Sequence, residues 1–160
     1  MEDSMRAISH ILKEKPCATV YATEPGATVF EALQLMAEKN VGAVLVMEGE
    51  SIVGILSERD YARKIALQDL SSRTTQVRQI MSSPVVFVTP EQTNEECMTL
   101  MTNGRLRHLP VLQEGRLVGM ISIGDLVKDI IAELEFSNSQ LVHYISGSHG
   151  SIGHFPHHLL

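Results

Sequence analysis

The sequence predicts a mixed α/β (α+β) fold built from two copies of one β-α-β-β-α unit packed against each other. The first observation is internal duplication. Shifted by 65 residues without a gap, Pro25 falls on Pro90, Thr28 on Thr93, Met36 on Met101, Ser57 on Ser122 and Asp60 on Asp125. The second is that hydrophobic periodicity switches between strand and helix in the same order in both copies. The third is size: a unit of that length buries too little surface by itself, so the copies must share their burial. Two related units leave related clefts, and each cleft carries the motif G-[IM]-[LI]-S-x-x-D.

Along the chain, residues Ser4 to Lys15 predict a short helix that stops before Pro16. Thr19 to Thr23 is a short β-branched strand. Thr28-Val29-Phe30-Glu31 is a capping box, and Val29, Ala32, Leu33, Met36 and Ala37 follow at helical spacing. Gly42 to Met47 is nearly continuous in apolar residues, as a strand buried on both faces is. Glu48-Gly49-Glu50 is a turn and Ser51 to Leu56 the returning strand. A helix starts near Ser57 and runs to about Asp69. The polar link Leu70 to Thr75 and a short helix at Gln76 to Met81 lead to the second copy. There Val85 to Val88 is a strand and Thr93-Asn94-Glu95-Glu96 a second capping box. The helix that follows reaches Asn103-Gly104, where the glycine is expected to supply the left-handed cap. Arg107 to Leu112 and Arg116 to Ser122 pair around Gln113-Glu114-Gly115. The last helix begins near Ile123 and passes Glu135, with a break expected at Ser137-Asn138-Ser139. The organisation is an N-terminal helix (1–17), a first repeat (18–70), a linker helix (71–83), a second repeat (84–135), and a helix end with a mobile tail (136–160).

Composition narrows the function. Hydrophobic residues make up 44% of 160 residues, enough for a core. A formal charge of -6 argues against a nucleic-acid surface, which needs a basic patch. It leaves phosphate ligands open, because local arginines decide that binding. No apolar run spans a membrane and no stretch reads as a secretion signal. With Cys17 and Cys97 as the two cysteines, the expected setting is a reducing compartment, the cytoplasm, with free thiols. Cys97 aligns with Ala32 and reads as core. Cys17 lies in a loop, where a reactive role is the alternative to a structural one. In the tail, His149, His154, His157 and His158 read as a solvated extension or as metal ligands; no metal site is assigned.

The chemistry concentrates in Gly54-Ile55-Leu56-Ser57-Glu58-Arg59-Asp60 and Gly119-Met120-Ile121-Ser122-Ile123-Gly124-Asp125. Ser-x-x-Asp at a strand-to-helix junction is close to an ordinary capping box. The same geometry also suits a nucleotide. Free amides at a helix N-terminus attract phosphate, a serine hydroxyl donates to it, and an ionised aspartate accepts from a vicinal diol such as a ribose. Arg59 lies within the first motif, and Arg105 and Arg107 flank the opposite strand; solvated surface charge is the plain alternative for each. In Arg107-His108-Leu109-Pro110 the proline removes a ladder donor and marks an edge or bulge, freeing backbone groups for an adenine edge. The first copy has Gly42-Ala43-Val44-Leu45 there, so the two clefts are not equivalent.

On these residues the chain resembles a tandem pair of CBS domains (named for cystathionine β-synthase), also called a Bateman module. The likeness covers about Ala18 to Ala132. Its carriers are the repeat order, R-H-L-P-V at Arg107 to Val111, and G-x-x-S-x-x-D twice. L-S-E-R-D-Y-A-R-K and I-S-I-G-D-L-V are similar to small stand-alone members. The resemblance implies pseudo-two-fold symmetry and clefts that take AMP, ADP, ATP, NAD(H) or S-adenosylmethionine. It implies that Asp60 and Asp125 hold ribose hydroxyls and that Ser57 and Ser122 contact phosphate, with Arg59, Arg107, Ile123 and Gly124 beside them. Backbone at Gly42, Ala43 and Val44 and at His108, Leu109 and Pro110 would frame adenine, and Thr23 and Thr89 would line the same clefts. It also implies a homodimer, no catalytic residue, and output to a regulated partner protein. Three functions therefore compete: a nucleotide-sensing regulatory module, a scaffold that kept the fold without a ligand, and an enzyme using His108 or a cysteine. No nucleophile triad, metal spacing or P-loop supports the third.

Overall fold

The structure, a computed structural model, describes the backbone of residues 6–15 and 19–149 and the side chains of these as far as residue 141. Its elements are α1 (Ile8–Glu14), β1 (Ala22–Thr23), α2 (Val29–Lys39), β2 (Ala43–Glu48), β3 (Ser51–Ser57), α3 (Glu58–Tyr61), α4 (Val77–Ile80), α5 (Asn94–Gly104), β4 (His108–Gln113), β5 (Arg116–Ser122) and α6 (Ile123–His149). A single widened π turn at Ala62–Ala66 continues α3. Both long hydrophobic helices start where their capping boxes predict. Thr28 accepts from the Glu31 amide while Glu31 reaches back to the Thr28 amide, and Thr93 and Glu96 do the same.

The two halves differ at one strand, and the reason is a single residue. In the first half β1 runs parallel to β2, and the Leu45 amide donates to the Tyr21 carbonyl at 3.0 Å. The residue 65 positions on is Pro110, which has no amide to give. The strand expected at Val85 to Val88 therefore does not form. Only Val88 bridges to Val111, through Val88 N–H to Pro110 O at 3.0 Å and Leu112 N–H to Val88 O at 2.8 Å. The first sheet thus has three strands and the second two. The strand expected at Thr19 to Thr23 is likewise reduced to Ala22–Thr23.

Three further expectations are corrected. The left-handed cap of α5 is Arg105 (φ 54), one residue beyond the glycine, which ends the helix instead. The α6 helix continues through Ser137-Asn138-Ser139 without a break. The N-terminal helix begins at Ile8 among the described residues, and Cys17, expected in a loop, lies outside them.

The helices that precede the repeats are exchanged between them. Ile8 and Ile11 of α1 belong to the core of the second repeat, with Val88, Cys97, Met101, Leu109, Val111, Ile121 and Leu126. Val77 and Ile80 of α4 belong to the core of the first, with Val29, Met36, Val44, Val46, Leu56 and Ile65. The docking bonds match pairwise. Ile8 donates to Gln92 O at 2.8 Å as Val77 donates to Ala27 O at 2.8 Å, and Ser9 to Pro90 O as Arg78 to Pro25 O, both at 3.0 Å. Two glycines admit the exchanged helices. A Cβ at Gly54 would lie 2.5 Å from Met81 Sδ, and one at Gly119 would lie 2.7 Å from Leu12 Cδ2. The pseudo-two-fold relation is therefore carried by backbone bonds as well as by sequence.

Candidate functional site

Two clefts flank the junction of the repeats, and both are lined in part by Gly42 and His108. Cleft 1, about 380 Å³, opens beside the start of α3 and faces the chain leading into β4. Cleft 2, about 250 Å³, opens beside the end of β5 and faces α1 and the chain before β1.

The motif of the first repeat closes as a capping box. The Ser57 amide donates to Asp60 Oδ2 at 2.9 Å, the Ser57 hydroxyl to the same oxygen at 3.1 Å, and the Asp60 amide to Ser57 Oγ at 3.1 Å. The other carboxylate oxygen accepts from the Ser82 hydroxyl at 3.4 Å and faces Lys64 Nζ at 3.3 Å. The second motif closes likewise, with Ser122 N–H to Asp125 Oδ2 at 2.8 Å and Asp125 N–H to Ser122 Oγ at 3.1 Å. There Lys15 reaches in from α1, 3.0 Å from Asp125 Oδ2 and donating to Met120 O at 2.7 Å.

These bonds engage part of the expected phosphate site. The first amide of each helix is engaged within the fold: Glu58 N–H donates to Gly42 O at 3.0 Å and Ile123 N–H to Arg107 O at 2.8 Å. With the Asp60 and Asp125 amides held by their serines, the amides left at the two helix starts are those of Arg59 and Gly124. Cleft 1 adds guanidinium groups. Arg59 and Arg63 line it from the first repeat, and Arg105 and Arg107 from the second. Their proximity holds Arg59 below its ordinary pKa, through Arg63 first, then burial, then Arg107 and Arg105, against Asp60.

The expected site residues divide into three groups. Gly42, Ser57, Arg59, Asp60, Arg107 and His108 come together in cleft 1. Gly42, Ala43, His108 and Ser122 line cleft 2, with Asp125 behind Lys15. Val44 and Leu109 turn their side chains into the two cores and Pro110 is buried, so any part they play is through backbone. Thr23, Thr89, Ile123 and Gly124 are not among the lining residues of either cleft, and the Thr89 amide is taken by Gln92 Oε1 at 2.9 Å. Sequence reading missed Lys15, Lys64, Arg63 and Ser82. Lys64 was within reach, four residues after Asp60 on one helix face. Lys15 was not, because its place depends on the exchange of α1.

Burial pushes the His108 imidazole below its ordinary value of 6.5; Asp125 opposes this, and Lys15 and Arg107 add to it. The folded chain thus binds this proton less well than the unfolded chain does. That costs stability below the folded pKa, and the cost vanishes as pH rises through 6.5. Urea midpoints of wild type should therefore rise between about pH 5 and 7 more steeply than those of His108→Gln. Parallel curves would show that His108 titrates alike in both states.

The family follows from this geometry together with direct comparison. The CBS domain family model matches residues 8–67 and 77–132, so the chain belongs to the CBS domain family and carries two copies in tandem. Among curated proteins, the CBS domain-containing protein CBSX3, mitochondrial, of Arabidopsis thaliana is 40% identical over 127 residues, 76% of this chain. The chain spans 62% of that relative's length. Among solved structures, a CBS-domain protein of Burkholderia ambifaria assigned to signal transduction is 52% identical, with a TM-score of 0.76 over 79% of this chain and 94% of that one. A hexameric CBS-CP12 protein from bloom-forming cyanobacteria is 28% identical, with a TM-score of 0.69 over 90% of this chain and 88% of that one. Tandem CBS pairs of this kind are commonly regulatory. Among the described residues no helix is long and apolar enough to cross a membrane. The tail histidines' side chains lie outside the described residues.

Proposed function

We propose that this chain is a regulatory module that binds an adenosine-containing nucleotide (AMP, ADP, ATP or NAD(H)) in the clefts between its repeats. The observation that supports it is the composition of cleft 1. Ser57, Asp60 and Arg59 come from one repeat and Arg107 and His108 from the other, so a ligand there touches both. Such a ligand shifts the angle between repeats to the extent that it binds one arrangement more tightly. Output passes to a regulated partner or to the oligomer. Self-association as a homodimer is supported by α6, where Val127, Leu134 and Leu141 stand exposed every seventh residue, at 41%, 59% and 56%. The reading is of a binding module and not an enzyme. His108 is held towards its neutral form, and burial pushes the Cys97 thiol up to about 11, which leaves it protonated and poorly nucleophilic.

The completed capping boxes favour a second reading, a scaffold without a ligand, because helix capping alone accounts for Ser57, Asp60, Ser122 and Asp125. A thermal-shift panel with AMP, ADP, ATP, NAD⁺, NADH and S-adenosylmethionine decides between them. A ligand at a hundred times its dissociation constant adds about 2.7 kcal/mol, a rise of several degrees for a chain of this size. No rise with any member of the panel would leave the scaffold.

A further inference from the structure

The two clefts are built from matched positions, yet they differ in charge. The four arginines of cleft 1 have as counterparts, 65 positions away, Gly124 for Arg59, Lys128 for Arg63, Asn40 for Arg105 and Gly42 for Arg107. Of these, Lys128 alone is charged, and it does not line cleft 2. The cation in that lining is Lys15, already engaged by Asp125 and Met120 O. In cleft 1 none of the four guanidiniums forms an ion pair among the described residues. The acids there are Glu58 and Asp60, and Asp60 is taken by Lys64, Ser82 and its own cap. Four like charges thus face one cavity in a chain whose formal charge is -6.

Like charges packed together repel, and a multivalent anion relieves that repulsion while meeting guanidinium forks in bidentate geometry. A single phosphate can be gripped by two such forks. It leaves the others unopposed. We propose that cleft 1 is a polyphosphate seat: its ligand carries two or more linked phosphates, as a nucleoside di- or triphosphate or a dinucleotide does, whereas cleft 2 does not select for phosphate number. The proposal rests on the nucleotide reading of the same cleft for the adenosine part, and on the arginines alone for the phosphates.

Titration calorimetry of the full chain at fixed ionic strength tests it, with AMP, ATP and inorganic tripolyphosphate as probes. The proteins are wild type, Arg59→Gln with Arg63→Gln, and Arg105→Gln with Arg107→Gln, each checked for an unchanged circular dichroism spectrum. The wild type is expected to bind ATP about tenfold or more tighter than AMP and to bind tripolyphosphate measurably. Each double variant should bring ATP close to AMP, and ATP affinity should fall as salt rises. Equal affinity for AMP and ATP in wild type overturns the proposal while leaving the nucleotide reading in place, as does an ATP preference that survives in both variants. Tripolyphosphate bound as tightly as ATP removes the adenosine from the reading and keeps the seat. Failure of all three probes to bind overturns the seat, and the nucleotide reading falls with it when the thermal-shift panel, NAD⁺ and NADH included, also shows no rise.

Discussion

Ile8→Ala is expected to cost about 2–5 kcal/mol and to loosen the second repeat, whose first core residue lies 80 positions further along the chain. Ile8 is fully buried, and it belongs to the core cluster of the second repeat, with Val88, Cys97, Leu109 and Val111, rather than to that of the first. Its amide also holds Gln92 O at 2.8 Å. Truncation leaves a cavity under β4 and β5 that rigid neighbours fill incompletely. Chemical denaturation measures the loss, and amide hydrogen exchange locates it. Protection should fall first along α5, β4, β5 and α6, with α2, β2 and β3 spared. Val77→Ala should show the reverse order, since α4 covers the first repeat. Loss of protection in the first repeat upon Ile8→Ala would contradict the exchange of helices.

Asp60→Asn is expected to separate the two uses of the Ser-x-x-Asp motif. The carboxylate accepts from the Ser57 amide and hydroxyl, accepts from Ser82 and faces Lys64. An asparagine keeps the shape and one acceptor oxygen, so the cap weakens only partly, at a cost of about 1 kcal/mol or less. A diol-binding role is affected more. Charge-assisted bonds contribute about 1.5–3 kcal/mol each, so nucleotide affinity at cleft 1 should fall by about tenfold or more. Asp125→Asn should leave that affinity unchanged, because Asp125 faces Lys15 at cleft 2. Calorimetry and denaturation on the same preparations give both numbers. Wild-type affinity in Asp60→Asn, with stability reduced, would make the motif a helix cap and nothing more.

The 65-residue offset by itself determined that the chain holds two copies of one unit, and short-range chemistry placed most elements. Thr28 with Glu31, Thr93 with Glu96, and each Ser with its Asp act over three residues, and the tight hairpins β2–β3 and β4–β5 pair neighbouring segments. Such interactions are visible in sequence because the partners are close along the chain. Six of the residues that meet in cleft 1 were also named from sequence: repetition singled out Ser57 and Asp60, and the family resemblance added Gly42, Arg59, Arg107 and His108. Pro110 was recognised as an interruption, but its consequence lay on the other side of the pairing, in a strand more than twenty residues earlier that lost its donor.

Only the tertiary structure decided the rest. Nothing local to Ile8 or Val77 says which repeat each helix covers; apolar faces fit either sheet, and the bonds to the Gln92 and Ala27 carbonyls show the pairing only in the folded chain. That pairing carries Lys15 to Asp125, which is why its role was not legible. Arg59 and Arg63 stand more than forty residues from Arg105 and Arg107 and meet them only in the folded chain. The continuity of α6 through three exposed polar residues was open in the sequence for a local reason, since helix propensity there neither imposes nor forbids a break. Sequence determined the elements and the motif; packing across the pseudo-two-fold axis decided which charges share a cleft, because electrostatic neighbours are set by distance in space and not along the chain.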